Sequence, residues 1–391
     1  MSSSDQDHSY KLLGKRMAWA LGYVPLLNVP VTLPSDTSSR AGTDLTDADV
    51  LGFRFSASGG VSRLLIDCKT TSGRAVDRVL WVRGLQDVLH LEDLYLFKKK
   101  VPDSARWLAR ELKVNCIDEP EMLELDARLG LSRLKGPYFD GTGYDSIESM
   151  LKFPKGSEYR ALAQFLSAGL WTLKPANRVL TLLNIGQQNH LHRKLRADDR
   201  AHVCLVLLAT RALAISLGLL ISELNVLDVL KIEQRLREVL HGGAESLAQK
   251  VRFADAIYQL TGQADSENPI DHKEFPYLLE EVNRLLVRRY ALNDAIRISD
   301  LALHYYAAGA GSLPRHLSGS DSNLSTKMAS DILSLFVRSN SFDNAFSRTI
   351  IGLLATTQDA TPDLTDERQS GRGGRGAQIP LLAPLPPLEE D

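Results

Sequence analysis

The chain has 391 residues, with 46 basic and 48 acidic side chains and a formal net charge of −2. That length suggests two or three domains, and near-neutrality excludes a broadly basic surface, so any nucleic acid would have to be met by a local patch. Three widely spaced cysteines, Cys68, Cys116 and Cys204, exclude a disulfide framework and a four-cysteine zinc site, and they fit a reducing, cytoplasmic setting.

The opening stretch MSSSDQDHSYKLLGKR lacks the apolar run of a secretory signal. Tyr10–Leu21 places Leu12, Leu13, Met17, Ala20 and Leu21 at helical spacing. Gly22 then punctuates, and Tyr23–Leu33 reads as extended, because two prolines oppose helix. Ser35–Gly42 reads as a polar loop. Asp49–Ala57 alternates apolar and polar positions, Ser58–Gly60 turns, and Val61–Lys69 forms a second strand, so the two are predicted to make a hairpin. A helix over Val76–Leu91, a short strand Leu94–Phe97 closed by Lys98–Lys100, a helix to Leu112 and a strand Val114–Ile117 complete the order α-β-β-β-α-β-α-β.

From about 140 to 356 the pattern is helix after helix. Val203–Ile221 is long enough to cross a bilayer, but Arg211 sits at its centre. A central arginine costs at least about 2.5 kcal/mol on insertion, so the segment is read as a buried core helix with Arg211 paired or turned outward, and no membrane is expected. Beyond Gln358 the chain is rich in Gly, Pro and charge and is predicted to be disordered. The expected division is an α/β domain over 1–130, an all-helical domain over 140–356 and a tail over 357–391.

Three residues stand out for their chemistry. Asp49 opens one apolar strand, while Asp67 and Lys69 close the next. Residues two apart on a strand share a face, so Asp67 and Lys69 point together and Cys68 points away. In a hairpin the start of the first strand lies near the end of the second, which would bring all three to one sheet edge. Two carboxylates and the Cys68 carbonyl offer hard oxygen ligands suited to Mg²⁺, and a lysine beside them can orient an attacking water or neutralise charge on phosphorus. Asp47 is the competing first acid. Asp49 is preferred because it abuts the apolar run.

The pattern TDADVLG … LLIDCKT, with a helix before it and a helix and strand after it, resembles the PD-(D/E)XK nuclease superfamily over roughly residues 10–120. The resemblance implies a restriction-endonuclease-like α-β-β-β-α-β core. It maps the first motif acid to Asp49 and the (D/E)xK motif to Asp67-Cys68-Lys69. It further implies a Mg²⁺-dependent (alternatively Mn²⁺-dependent) phosphodiesterase acting on nucleic acid, most often DNA. The acid that many members carry on the first helix has no counterpart in Tyr10–Gly22, and candidates on the helix after the lysine are Arg74, Arg78, Arg83 and Gln86. The alternative is a catalytically silent nuclease-like fold serving as a binding or scaffolding subunit. The helical half is expected to recognise substrate, a protein partner or a second copy. A genome-defence role is an expectation by analogy of fold only.

Weaker signals have ordinary explanations. His190 and His192 have no acid or cysteine at metal-ligand spacing and read as surface histidines. Arg193, Lys194, Arg196 and Arg200 form a basic stretch offset by Asp198 and Asp199. Lys98–Lys100 is equally an edge guard or a contact for a nucleic-acid backbone.

Overall fold

Helix α1 (Ser3–Ala20) leads into three consecutive strands, β1 (Val24–Thr32), β2 (Asp44–Phe55) and β3 (Val61–Lys69). Helix α2 (Ala75–Leu89), strand β4 (Asp93–Lys98), helix α3 (Asp103–Glu111) and strand β5 (Asn115–Ile117) follow. The computed structural model describes residues 3–32, 44–70, 73–155, 157–188, 190–224, 231–261, 273–314 and 322–358. The five strands form one mixed sheet in the order β1-β2-β3-β4-β5. The first two pairings are antiparallel, with Val50 opposite Ile66 and Phe53 opposite Arg63 in the hairpin. The last two are parallel, and each needs a crossover, which α2 and α3 supply. The element order is the one read from the sequence. Strand β2 begins at Asp44 rather than Asp49 because β1 pairs along it, Val31 meeting Thr46. The expected Ser35–Gly42 loop lies outside the described residues.

Helix α4 (Glu119–Leu129), which the sequence reading leaves unassigned, follows β5. Its signal is a capping box in which Asp118 accepts from the Glu121 amide and Glu121 accepts from the Asp118 amide. The helical half then runs through α5 (Thr142–Met150), α6 (Glu158–Ser167), α7 (Pro175–Gln188), α8 (Arg200–Leu224), α9 (Ile232–Leu240), α10 (Ala244–Thr261), α11 (Phe275–Val287), α12 (Arg289–Ala307), α13 (Ser322–Ser339) and α14 (Asn344–Ala355). It is not purely helical. Strands β6 (Leu313–Pro314) and β7 (Thr357–Gln358) pair in parallel, which also corrects the expectation that the tail loses its structure from 357. The rest of the expected tail lies outside the described residues.

Two apolar layers sandwich the sheet. On one face, Tyr10, Met17 and Ala18 of α1 pack on Val50, Leu64, Ile66 and Cys68. Gly14 allows this close approach, since a Cβ there would lie 3.2 Å from Val50 Cγ2. On the other face, Leu51, Phe53, Leu65 and Leu96 belong to a core that continues without a break into the helical half. The boundary near residue 130 is therefore one of chain composition, and the apolar interior crosses it. Helix α8 is the buried centre of that interior, with 94% of its most apolar window enclosed, and Gly218 lets it rest against β2, where a Cβ would lie 2.5 Å from Phe55.

Helix α12 clasps the N-terminal region through polar bonds. Asn293 accepts from the Phe55 amide at 3.1 Å and donates to the Gly22 carbonyl at 3.0 Å. Arg297 donates to the Trp19 carbonyl at 3.1 Å and lies over the Trp19 ring. One turn on, Asp300 accepts from Tyr138 Oη at 2.6 Å and from Arg211 at 2.9 Å. Arg211 is therefore paired, one of the two outcomes expected for it. His304 Nδ1 donates to the Asp300 carbonyl at 2.8 Å, which leaves Nε2 to accept from Lys15 at 3.1 Å.

Gly218→Val should lower stability by about 1–3 kcal/mol through overpacking against Phe55, read as a lower urea midpoint at unchanged slope. A second expectation concerns acid. Burial first, and then the neighbouring Lys15 charge, pull the His304 imidazole down to about 3. Its unfolded value is about 6.5, so below that pH the unfolded chain binds the extra proton and stability falls until about pH 3. His304→Gln should flatten the pH dependence of unfolding free energy in this window by up to about 1.4 kcal/mol per pH unit. An unchanged slope would remove His304 from the acid response.

Candidate functional site

The ends of β2 and β3 meet α1 and α2 at one edge of the sheet. Past the last hairpin pair, Val50 with Ile66, the strands separate, and the Cys68 amide donates to Asp49 Oδ2 at 2.8 Å instead of to a strand carbonyl. Asp49 and Asp67 are both buried, at 4% and 3% exposure. Buried carboxylates need paired cations, and four elements supply them. Lys69 Nζ lies 3.2 Å from Asp49 Oδ2 and 3.8 Å from Asp67 Oδ1, bridging the two acids. Lys11 of α1 reaches Asp49 Oδ1 at 2.9 Å. Arg78 of α2 grips Asp67 with two nitrogens, Nε at 2.6 Å. Lys98 of β4 stands beside Lys69 in the parallel register, and burial lowers its pKa although the Asp67 charge works against that shift.

The electrostatics follow from these contacts. Burial pushes the Asp49 carboxyl upward, but the Cys68 amide, Lys11 and Lys69 outweigh it and hold the group below its ordinary value. Burial likewise opposes the Lys11 and Arg78 charges, and the partner carboxylates more than restore both. The Cys68 thiol points the other way, as the strand alternation predicts, into the layer beneath α1. Burial raises its pKa well above the usual thiol range.

Asp49, Asp67 and Lys69 thus come together. Asp47 does not join them, being exposed on β2 opposite Pro30. Of the four candidates on or just before α2, only Arg78 engages the acids. Arg83 bonds Gln86, and Arg74 stands exposed beside Asp77. Lys11 is the member the sequence reading misses, and the helix that carries it begins at Ser3 instead of Tyr10. The earlier start also places an acid on the first helix, since Asp7 lies 3.6 Å from Lys11 Nζ. The Asp7–Lys11 spacing of four was the available signal. Lys11 also donates to Asn28 Oδ1 at 2.8 Å, and Asn28 sits in the left-handed region, at φ 51°, on β1.

Among the described residues no group of three His, Cys, Asp or Glu side chains is placed to hold a metal. Mg²⁺ asks for less, usually one or two carboxylates with waters and substrate phosphate completing its shell. Asp49 and Asp67 offer two carboxylates, both within 4 Å of the Lys69 nitrogen. Their oxygens are also the ones held by Lys11 and Arg78, so an ion here competes with those cations.

The basic stretch after α7 behaves as an ordinary surface. Arg196 pairs with Asp198, Arg200 donates to the Tyr306 carbonyl, and His190 is exposed. No protein-family model, curated protein or solved structure matches this chain.

Replacing Arg78 by Met should destabilise the protein by about 1–3 kcal/mol, because Asp67 loses two charge-assisted bonds in a buried position. In a double-mutant cycle with Asp67→Asn, thermal unfolding should recover much of that loss. Additive losses would mean the pair is not coupled.

Proposed function

We propose that this protein is a metal-dependent phosphodiesterase of the PD-(D/E)XK type that cleaves nucleic acid, DNA before RNA. One observation carries the reading: Lys69 bridges Asp49 and Asp67 at the open end of an antiparallel hairpin whose second strand continues into parallel pairing. The element order and the mixed five-stranded sheet support the restriction-endonuclease-like core that the resemblance implies.

Asp49 and Asp67 would hold Mg²⁺ (or Mn²⁺), with the Cys68 carbonyl as a further oxygen. The ion would supply a water of lowered pKa and charge to set against the phosphate. The chain's own residues do the rest. Lys69 and Lys98, adjacent on neighbouring strands, attract the phosphodiester and offset charge developing on its oxygens. Lys69 is placed to orient the attacking water, and Lys11 fixes the Asp49 carboxylate against α1. Lys11, Lys69 and Arg78 converge on Asp49 and Asp67, and such a local gathering of cations is the kind of patch that a chain of near-zero net charge needs. The expected protein partner or self-association has support in α10, where Phe253 and Leu260 are 70% and 86% exposed.

The silent-fold alternative has one observation of its own: every carboxylate oxygen of Asp49 and Asp67 already meets a protein donor. One assay separates the two readings. Purified protein is incubated with plasmid and single-stranded DNA in Mg²⁺ or Mn²⁺. Cleavage by wild type, lost by a factor of about 10² or more in Lys69→Ala and Asp67→Ala, is the expected result. Absence of cleavage with DNA binding that weakens in Lys98→Ala would favour the silent fold. Cleavage that survives both substitutions would overturn the site assignment.

A further inference from the structure

Behind the sheet edge lies a second feature that phosphodiester chemistry does not use. A cavity of about 760 Å³ opens between β1 and helices α5, α6 and α8, a volume that suits a small organic ligand. Its mouth is ringed by exposed side chains, among them Asp47, Glu148, Lys152 and Gln164. Its floor holds Lys15, Arg211 and His304.

The floor is short of acceptors. Asp300 behind it is fully buried, with its two oxygens committed to Tyr138 and Arg211. Lys15 is 1% exposed and meets a neutral imidazole nitrogen and the face of the Tyr138 ring, at 3.1 and 3.7 Å. Neither carries a full negative charge. Arg211 lines the cavity with 16% of its side chain exposed, and its Nε is buried without a hydrogen-bond partner. A buried lysine and a largely enclosed arginine thus share one buried carboxylate. The exposed part of the Arg211 side chain is what an oxyanion in the cavity would meet, and a guanidinium forms strong charge-assisted bonds to such a group. Burial accordingly holds the Lys15 ammonium down to about 7 despite Asp300.

We propose that this cavity binds a small organic phosphate, its anionic group directed at Arg211, with Lys15 enclosed behind it, and its body filling the space towards α6. The mixed charges at the mouth favour a neutral body there, since a second anionic group would face Asp47 and Glu148. This inference stands independently of the nuclease reading.

The test uses the full chain, inorganic phosphate and adenosine 5′-monophosphate, with calorimetry and thermal unfolding as readouts. Wild type should bind both probes, and Lys69→Ala should bind them equally, which separates the cavity from the lysines at the sheet edge. Arg211→Met should weaken both by about tenfold or more. Gln164→Trp, an exposed change at the mouth that leaves the buried network intact, should exclude the nucleotide while retaining phosphate. If Arg211→Met does not fold, the Gln164→Trp comparison decides alone. The proposal falls if wild type binds neither probe, if Lys69→Ala loses binding while Arg211→Met keeps it, or if Gln164→Trp binds the nucleotide at wild-type strength.

Discussion

Two carboxylates cannot be buried side by side unless cations are buried with them. At the end of the hairpin this requirement recruits a lysine from the same strand, another from the first helix, an arginine from the crossover helix and a fourth cation from the next strand. Each element must therefore sit where its cation reaches. Helix α1 has to lie close on the sheet, which Gly14 permits. The crossover through α2 has to return Arg78 over the end of β3. The site and the packing around it thus share one electrostatic condition.

Much of this was legible in the sequence, and for definable reasons. Alternation in Asp49–Ala57 and Val61–Lys69 reports burial on one face of a strand, and the Gly pair between them reports a turn, so the hairpin and the convergence of Asp49, Asp67 and Lys69 could be read directly. The apolar run around Arg211 was recognisable as a core helix because a bilayer penalises that arginine and a carboxylate in a protein interior does not. The spacing of Asp7 and Lys11 marks a helical ion pair, but the place of Lys11 beside Asp49 was not legible. Its role depends on the angle at which α1 crosses the sheet, and periodicity does not encode that angle. The start of α1 at Ser3 was missed because its first turns carry polar residues with no apolar stripe to mark them. Helix α4 escaped although its capping box was present.

The buried cluster of Lys15, Arg211, Asp300 and His304 shows a different limit. Its members lie on helices α1, α8 and α12, separated by up to 289 residues. A lone lysine on an amphipathic helix reads as a solvated charge, and only the tertiary fold reveals that Lys15 is enclosed. Such a cluster draws its meaning from packing, and sequence pattern records packing only as hydrophobicity.

The clasp made by α12 has a consequence for biosynthesis. The first hairpin and the end of α1 receive bonds from Asn293 and Arg297, so those backbone groups have only water as a partner until the chain has grown through residue 297. At about 5–20 residues per second on the ribosome, the N-terminal sheet waits on the order of 10–50 seconds between its own emergence and the arrival of that helix. During that interval the face of the sheet that α8 and α12 will cover is open to water and to other chains. Closure of this sheet thus waits on a helix some 238 residues further along the chain, measured from Phe55 to Asn293.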